Sequence, residues 1–234
     1  MLNDLANSYA LELRYTKAIA RYKEADKISK KGLMHMYQLK EYFNSFISLK
    51  DEDWMEVMQL FKSYSYKKGE FIYGASDIPV EVNFIVKGVV RSFKMEEGGK
   101  DFTWAFYYLN DEVMEHRMIS DVCVVDYASF LRNEAAELAF EVMEDCTVMT
   151  ITKSDLFKLY ESDEKWQMFA RKIAEDAYCA TRDRTLTLLT KNAKERLSIL
   201  EAYFPDIFKR VSQQHIASYL GITRQSLNRL RRDN

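Results

Sequence analysis

The chain has 234 residues, of which 47% are hydrophobic and 30% are charged. This near-average globular composition excludes a wholly disordered chain and favours one large domain or two modest ones. Seven Gly and two Pro leave little flexible linker, so we expect domains joined by regular structure. The net charge of −2 hides an asymmetry, because positions 191–234 carry nine basic and four acidic residues, a net of +5, and the remainder carries −7. A basic end on an acidic body is typical of a nucleic-acid-binding domain attached to a sensing domain.

The cysteines and histidines form neither a disulfide framework nor a metal-binding pattern, since no C-x-x-C pair or helical pair of histidines occurs. They stand at Cys123, Cys146, Cys179, His35, His116 and His215. No nucleophile elbow, zinc-protease or P-loop motif is present. We therefore predict no metal, no cofactor and no enzymatic activity. The sequence also lacks a secretory signal and any apolar run near the roughly 18 residues that span a membrane, which predicts a cytoplasmic protein without a membrane partner.

The first quarter of the chain is predicted to be helical. Residues 1–35 form an N-terminal extension with apolar residues at three- and four-residue spacing, and Gly32 stands where a C-cap would. The many basic residues leave a membrane-surface helix as an alternative to a packing helix. Helical periodicity continues through 36–62.

The period then changes to two. Alternating segments at 63–73, 81–86, 89–93, 102–108, 138–143 and 147–152 are predicted strands, with turns at Gly69 and 96–100 and a break at Gly88. Many short strands with tight turns predict an antiparallel β-roll across 36–154.

From Ser154 onward the pattern is helical again. Ser154 is predicted to cap a short helix and Ser162 a long one, which together form a connecting segment over 155–190. A mostly apolar stripe with heptad-like spacing follows Ser162, and it fits either core packing or the seam of a homodimer. The stripe consists of Trp166, Phe169, Ile173, Ala177, Ala180, Arg184 and Leu188.

Two short helices are predicted near the C-terminus, in a domain spanning 191–234. Ser212 can cap the first, and Gly221 suits the left-handed turn that ends it. Thr223 can cap the second, whose Leu227 and Leu230 would point toward the core. This register is typical of a helix-turn-helix.

The outer face of the second helix lacks hydrophobic residues and carries side chains that pair with base edges and phosphates. These are Arg224, Gln225, Asn228, Arg229 and Arg232. Near the helix starts, Ser212, Gln213, Thr223 and Ser226 complete the predicted DNA-binding set. Lys209 and Arg210 are expected to contact phosphates without reading sequence.

With these motifs the chain resembles the Crp/Fnr (catabolite-activator-like) regulators over 36–234, most strongly at 212–232. The segments 67–72 and 84–91 look like the first strands of the cyclic-nucleotide-binding fold. The resemblance implies an α+β fold with a dimerisation helix at 162–189, and base-reading roles for Arg224, Gln225 and Arg229. Gln225 replaces the glutamate of the best-known members, which changes the expected base preference.

The resemblance also places a ligand cassette at 125–138. Asp126 stands in the ribose-carboxylate position, but Val125 replaces the usual Gly. No Arg follows at the position expected for a cyclic phosphate, because Arg132 is nearby but out of register. Glu134 and Glu137 stand there instead and would repel the phosphate. We therefore expect a degenerate pocket that does not bind cyclic AMP. The candidate effector residues are Asp126, Tyr127, Ser129 and Arg132.

Together these features predict a homodimeric transcription regulator that reads a near-palindromic operator in double-stranded DNA. A small-molecule effector of unknown identity and RNA polymerase are further candidate partners. The alternative is a ligand-binding or protein-interaction module without a DNA role. Salt-dependent binding to duplex DNA separates these alternatives.

Overall fold

The computed structural model describes residues 30–109 and 122–232. The predicted extension at 1–35 lies largely outside this range, and so does most of the 111–124 segment. The described helices are α1 (Lys30–Asn44), α2 (Asp51–Met58), α3 (Tyr127–Arg132), α4 (Lys153–Ser162), α5 (Glu164–Thr190), α6 (Ala193–Tyr203), α7 (Ile207–Arg210), α8 (Gln213–Tyr219) and α9 (Arg224–Arg232). None of these helices is both long and apolar enough to cross a membrane.

In the described part of the chain, six antiparallel strands form one sheet, which confirms the predicted α+β class. They are β1 (Lys62–Tyr66), β2 (Phe71–Tyr73), β3 (Glu81–Met95), β4 (Asp101–Tyr108), β5 (Cys123–Val124) and β6 (Ala139–Thr152). The strand order is β1-β6-β3-β4, with β2 paired to β6 and β5 paired to β3. The long strands β3 and β6 pair along most of their length and form the backbone of the roll.

The predicted strand break at Gly88 is wrong, because β3 continues through it. Gly88 has a φ of +98° and lies where the pairing of β3 with β6 shifts register. A Cβ at this position would lie 2.7 Å from the Cα of Cys146. Gly88 therefore allows close approach of two bent strands rather than ending one of them.

Aromatic rings from three helices form part of the main core that these helices share with the roll. Phe43 of α1 lies with its ring centroid 5.4 Å from that of Trp54 of α2 and 4.2 Å from that of Phe169 of α5. All three side chains are almost fully buried. The start of α5 is therefore anchored in the core of its own chain.

The caps of α4 and α5 differ from the prediction by one or two residues. Thr152, not Ser154, accepts a hydrogen bond from the backbone N–H of Asp155, because β6 runs directly into α4. Asp163, not Ser162, caps α5 by accepting from the N–H of Lys165 at 2.8 Å. Trp166 and Phe169, the two large residues of the predicted stripe, are buried in the chain's own core, whereas the later stripe positions are only partly buried.

The C-terminal helices have a second core that includes the outer face of the roll. Leu197, Leu200 and Phe204 of the 193–204 segment share this core with Phe106 and Tyr108 of β4. The rings of Tyr108 and Phe204 stack with centroids 3.7 Å apart. Aromatic stacking of this kind fixes the C-terminal helices against β4.

Candidate nucleic-acid interface and ligand cleft

Helices α8 and α9 are joined by a tight turn whose local chemistry matches the prediction. The Ser212 hydroxyl accepts from the N–H of His215 at the start of α8. Gly221 adopts a φ of +64°, in the left-handed region that glycine favours. The Thr223 hydroxyl accepts from the N–H of Ser226 at 3.1 Å and so caps α9. The two helices therefore have defined ends and a fixed crossing.

The inner side of this helix pair is apolar. Ile216, Leu220 and Leu227 are fully buried, and Ala217 leaves room for the helices to approach. Arg231 lies with its guanidinium 4.0 Å from the ring centroid of Phe208, so this basic residue packs on the domain itself.

The outer side of α9 presents the predicted polar face. Arg224, Gln225, Arg229 and Arg232 are exposed, and Asn228 is half-buried. At about 100° per residue these positions fall on one side of the helix. Of the remaining predicted residues, Ser226 lies with its hydroxyl 3.0 Å from that of Thr223, Gln213 is half-buried and Ser212 is exposed.

Helix α8 docks on β4 of the roll. The Ser218 hydroxyl accepts from the N–H of Thr103 at 2.8 Å and donates to the carbonyl of Asp101 at 2.9 Å. Arg210 forms an ion pair with Glu144 and donates to the Gly88 carbonyl at 3.1 Å. Arg210 was predicted to contact DNA phosphates. In this structure it instead links the C-terminal helices to the roll.

Sequence reasoning missed a buried ion cluster beneath this contact. Arg91 of β3 pairs with Asp101 and Glu141 and donates to the Thr103 hydroxyl at 3.1 Å. Its only sequence signal is a charged residue within the apolar run of β3. A buried guanidinium requires such partners, because an uncompensated charge in the interior is strongly unfavourable.

His215 lies above this cluster, with Nδ1 3.9 Å from an Asp101 carboxylate oxygen. Burial lowers the pKa of His215, and the charge of Arg91 acts in the same direction, against the attraction of Glu141 and Asp101. The imidazole is therefore favoured in its neutral form at the docking surface.

The cassette at 125–138 is closed by its own carboxylate. Asp126 is 8% exposed, and one of its oxygens accepts from the backbone N–H groups of Glu137 at 2.9 Å and Leu138 at 3.3 Å. The other oxygen accepts from the N–H of Ser129 and caps α3. The N–H of Asp126 donates to the Tyr73 hydroxyl, whose pKa is raised by burial.

The other candidate effector residues are distributed around α3. Tyr127 lines a cleft beside the roll, Ser129 is buried under α3, and Arg132 is exposed at the end of α3. Glu134 is exposed, and Glu137 pairs with Lys94. The structure thus brings Asp126 and Tyr127 to the cleft but does not bring Arg132 there. Arg117 lies outside the described residues.

The cleft lies between the roll, α5 and the C-terminal helices and has a volume of about 550 Å³. Strand β4 and α5 form its long walls, and α6 with Tyr219 forms one end. Across residues 30–109 and 122–232, no group of three or more His, Cys, Asp or Glu side chains is placed to hold a metal ion.

Comparisons with known proteins locate this arrangement among solved structures. No protein-family model matches the chain, and no curated protein sequence matches it. FixK2 from Bradyrhizobium japonicum is 24% identical, with 74% of this chain and 83% of that chain covered and a TM-score of 0.57. The c-di-GMP-responsive global regulator CLP of Xanthomonas campestris is 13% identical, with 76% of this chain and 88% of that chain covered and a TM-score of 0.56. A CooA mutant from Carboxydothermus hydrogenoformans is 19% identical, with 76% of this chain and 78% of that chain covered and a TM-score of 0.54.

These likenesses show a shared fold. The β-roll followed by a long helix is similar in fold to FixK2, CLP and CooA, in agreement with the fold that the sequence resemblance implied. The cyclic-nucleotide-binding-like architecture predicted for the chain is confirmed at this level.

Proposed function

We propose that this protein is a sequence-specific DNA-binding transcription regulator that acts as a homodimer. The observation that carries the proposal is the outer face of α9, where Arg224, Gln225 and Arg229 are exposed together on a capped and rigidly packed helix. Arginine pairs with guanine and glutamine with adenine in the major groove. The net charge of +5 over 191–234 supplies the attraction to the phosphate backbone.

The exposed side of α5 supports the dimer. Its large apolar residues are Met168, Tyr178, Leu186 and Leu189, exposed by 45%, 70%, 41% and 77%. At about 100° per residue these four fall within about 80° of one another. They lie roughly opposite the side that faces the cleft, which includes Ile173, Ala177 and Arg184. A second copy of α5 is the simplest cover for such a stripe.

Dimerisation matters for DNA affinity, because one short helix contacts too few base pairs. Two α9 helices related by a two-fold axis would enter successive major grooves roughly 34 Å apart. The operator would then be a near-palindrome with half-sites about one helical turn apart.

The closed cassette argues against a cyclic nucleotide as the effector. Asp126 already accepts the N–H groups of Glu137 and Leu138, so these two donors are not available to a bound nucleotide. The carboxylate itself would repel a cyclic phosphate.

The proposal is tested by selecting binding sites from random duplex DNA with the full chain, followed by anisotropy titrations at several salt concentrations. We expect a palindromic consensus and an affinity that falls steeply with salt. Sedimentation should give a dimer that Tyr178→Asp dissociates, whereas Val80→Asp, at an exposed apolar position in the roll, leaves it intact. No selected consensus and no salt-dependent binding would instead favour the protein-interaction alternative.

A further inference from the structure

The cleft between the roll and the C-terminal helices contains two arginines that the DNA-binding proposal does not use. Its walls are largely apolar and aromatic and include Trp104 and Tyr107 of β4 and Ile173 and Ala177 of α5. Arg184, near the end of α5, and Arg196 of α6 lie at the end formed by the C-terminal helices. An apolar cleft with a few convergent polar groups is the usual form of a small-molecule site.

Both guanidiniums are held in place by neutral groups. Arg184 lies 3.6 Å from the ring centroid of Tyr219 and donates to the carbonyl of the same residue. Arg196 donates through one Nη to the carbonyls of Leu188 at 3.2 Å and Lys191 at 2.9 Å. Stacking and carbonyl contacts orient the two side chains but leave their positive charges uncompensated.

In the part of the chain that the structure describes, neither arginine has a carboxylate within ion-pair distance. The Nε of each is buried without a hydrogen-bond partner. Asp183 also lines the cleft, but its carboxylate pairs with Arg182 at 3.0 Å. Burial lowers the pKa of Arg184; Tyr219 acts against this shift, and the nearby charge of Arg196 adds to it. Two like charges with unpaired donors form an arrangement that a bound anion would stabilise.

We propose that this cleft binds an amphipathic organic acid. Its carboxylate would accept hydrogen bonds from Arg184 and Arg196, and its apolar body would lie along β4 and α5 beside Trp104 and Ile173. A planar carboxylate matches the fork of a guanidinium. The apolar walls favour a ligand whose remaining surface is hydrocarbon or aromatic.

The position of the cleft gives such a ligand a regulatory consequence. Its walls come from the roll, α5 and the C-terminal helices, so the ligand would bind best when these three are arranged as in this structure. An effect on operator affinity rests on the proposed function, whereas binding of the acid does not.

The test uses the full chain and the fluorescent probe 8-anilinonaphthalene-1-sulfonate, an aromatic anion, displaced by octanoate or 1-octanol. We expect one saturable site per chain and displacement by octanoate at concentrations at least about tenfold lower than by 1-octanol. Arg184→Gln and Arg196→Gln should each weaken octanoate binding about tenfold or more. Lys194→Gln, which removes an exposed charge two residues from Arg196, should leave it unchanged.

Ala177→Phe is a second test of the site. It fills the apolar part of the cleft and leaves both arginines in place, so it should also reduce octanoate binding. Thermal unfolding of each variant identifies any that fails to fold. Equal displacement by octanoate and octanol, unchanged affinity in both arginine variants, or no saturable probe binding would each overturn the proposal. A chain that binds octanoate but no DNA would refute the proposed function and leave this site standing.

Discussion

The outer face of α9 and the cassette at 125–138 are both polar segments that the sequence marks as binding sites, yet they differ in how their hydrogen-bonding groups are used. On α9, Arg224, Gln225 and Arg229 project from a helix whose backbone and cap are already satisfied. In the cassette, Asp126 accepts from three backbone N–H groups and is itself buried. The first segment is open to a partner, and the second is closed on itself.

This difference shows that residue type alone does not identify a binding site. A carboxylate in the expected position can serve the backbone of its own loop, and an arginine can pack on its own domain, as Arg231 does on Phe208. What matters is which donors and acceptors remain unpartnered after folding.

The largest effect is expected for the loss of the Asp126 carboxylate, which holds the cassette closed. Asp126→Ala should lower the free energy of unfolding by about 3 kcal/mol, because several buried N–H groups lose their acceptor. The measurement is urea unfolding of wild type and variant. The control is Asp77→Ala. The carboxylate of Asp77 is exposed and accepts a hydrogen bond from the N–H of Gly74, so this change should lower the free energy of unfolding by less than about 1 kcal/mol. Equal stabilities of the two variants would contradict the closed-cassette interpretation.

A second prediction concerns the open segment. Arg224→Ala and Arg229→Ala should each weaken operator binding by about 1–3 kcal/mol and relax preference at particular base pairs. Neither change should affect unfolding, because both side chains are exposed. The measurement is anisotropy with the selected operator and with single-base variants of it.

The comparison for these variants is Lys209→Ala, which removes an exposed charge outside α9. It should weaken all duplexes alike and flatten the salt dependence. A uniform loss of affinity for every sequence in the two arginine variants would place the wrong face of α9 in the groove.

Much of the local structure was predictable because it depends on short-range chemistry. The caps at Ser212 and Thr223, the positive φ at Gly221 and the alternating strands all follow from neighbouring residues. Gly88 was misread because a glycine that breaks a strand and one that lets two strands approach have the same local pattern. Only the pairing with β6 distinguishes them.

The contacts that the sequence did not predict are all long-range. Arg91 with Asp101 and Glu141, Arg210 with Glu144, and the cleft arginines depend on how the C-terminal helices dock on the roll. Residues 66 positions apart, as in the Arg210–Glu144 pair, leave no periodic signal in one sequence. The predicted phosphate contact of Arg210 was reasonable from charge alone, and docking on the roll explains its different position here.

A third, smaller effect tests the surface between the two regions. Because burial lowers the pKa of His215 from its ordinary 6.5, the docked state favours the neutral imidazole. The stability contributed by neutral His215 is present above about pH 6.5 and is lost as the pH falls below it. Between pH 7.5 and 5.5 the free energy of unfolding of wild type should therefore fall by up to about 1 kcal/mol more than that of His215→Gln. If the free energies of unfolding of the two proteins changed equally with pH, docking on the roll would not lower the pKa of His215.

The last prediction is that cyclic nucleotides do not bind, and this result distinguishes a closed cassette from an open one. Cyclic AMP and cyclic GMP should give no saturable heat in calorimetry at millimolar concentration and should leave operator affinity unchanged. The described cassette offers a buried carboxylate rather than a cation, and Arg132 is exposed at the far end of α3. Removing a phosphate from water without a paired cation is unfavourable by several kcal/mol. A nucleotide that gains nothing on binding also cannot shift the protein between conformations.

Asp126→Asn is the control variant for this test. It removes the repelling charge without supplying a cation, so the variant should still not bind either cyclic nucleotide. A micromolar dissociation constant for wild type would mean that a cation outside the cassette, such as Arg184 or Arg196 at the other end of the cleft, contacts the phosphate.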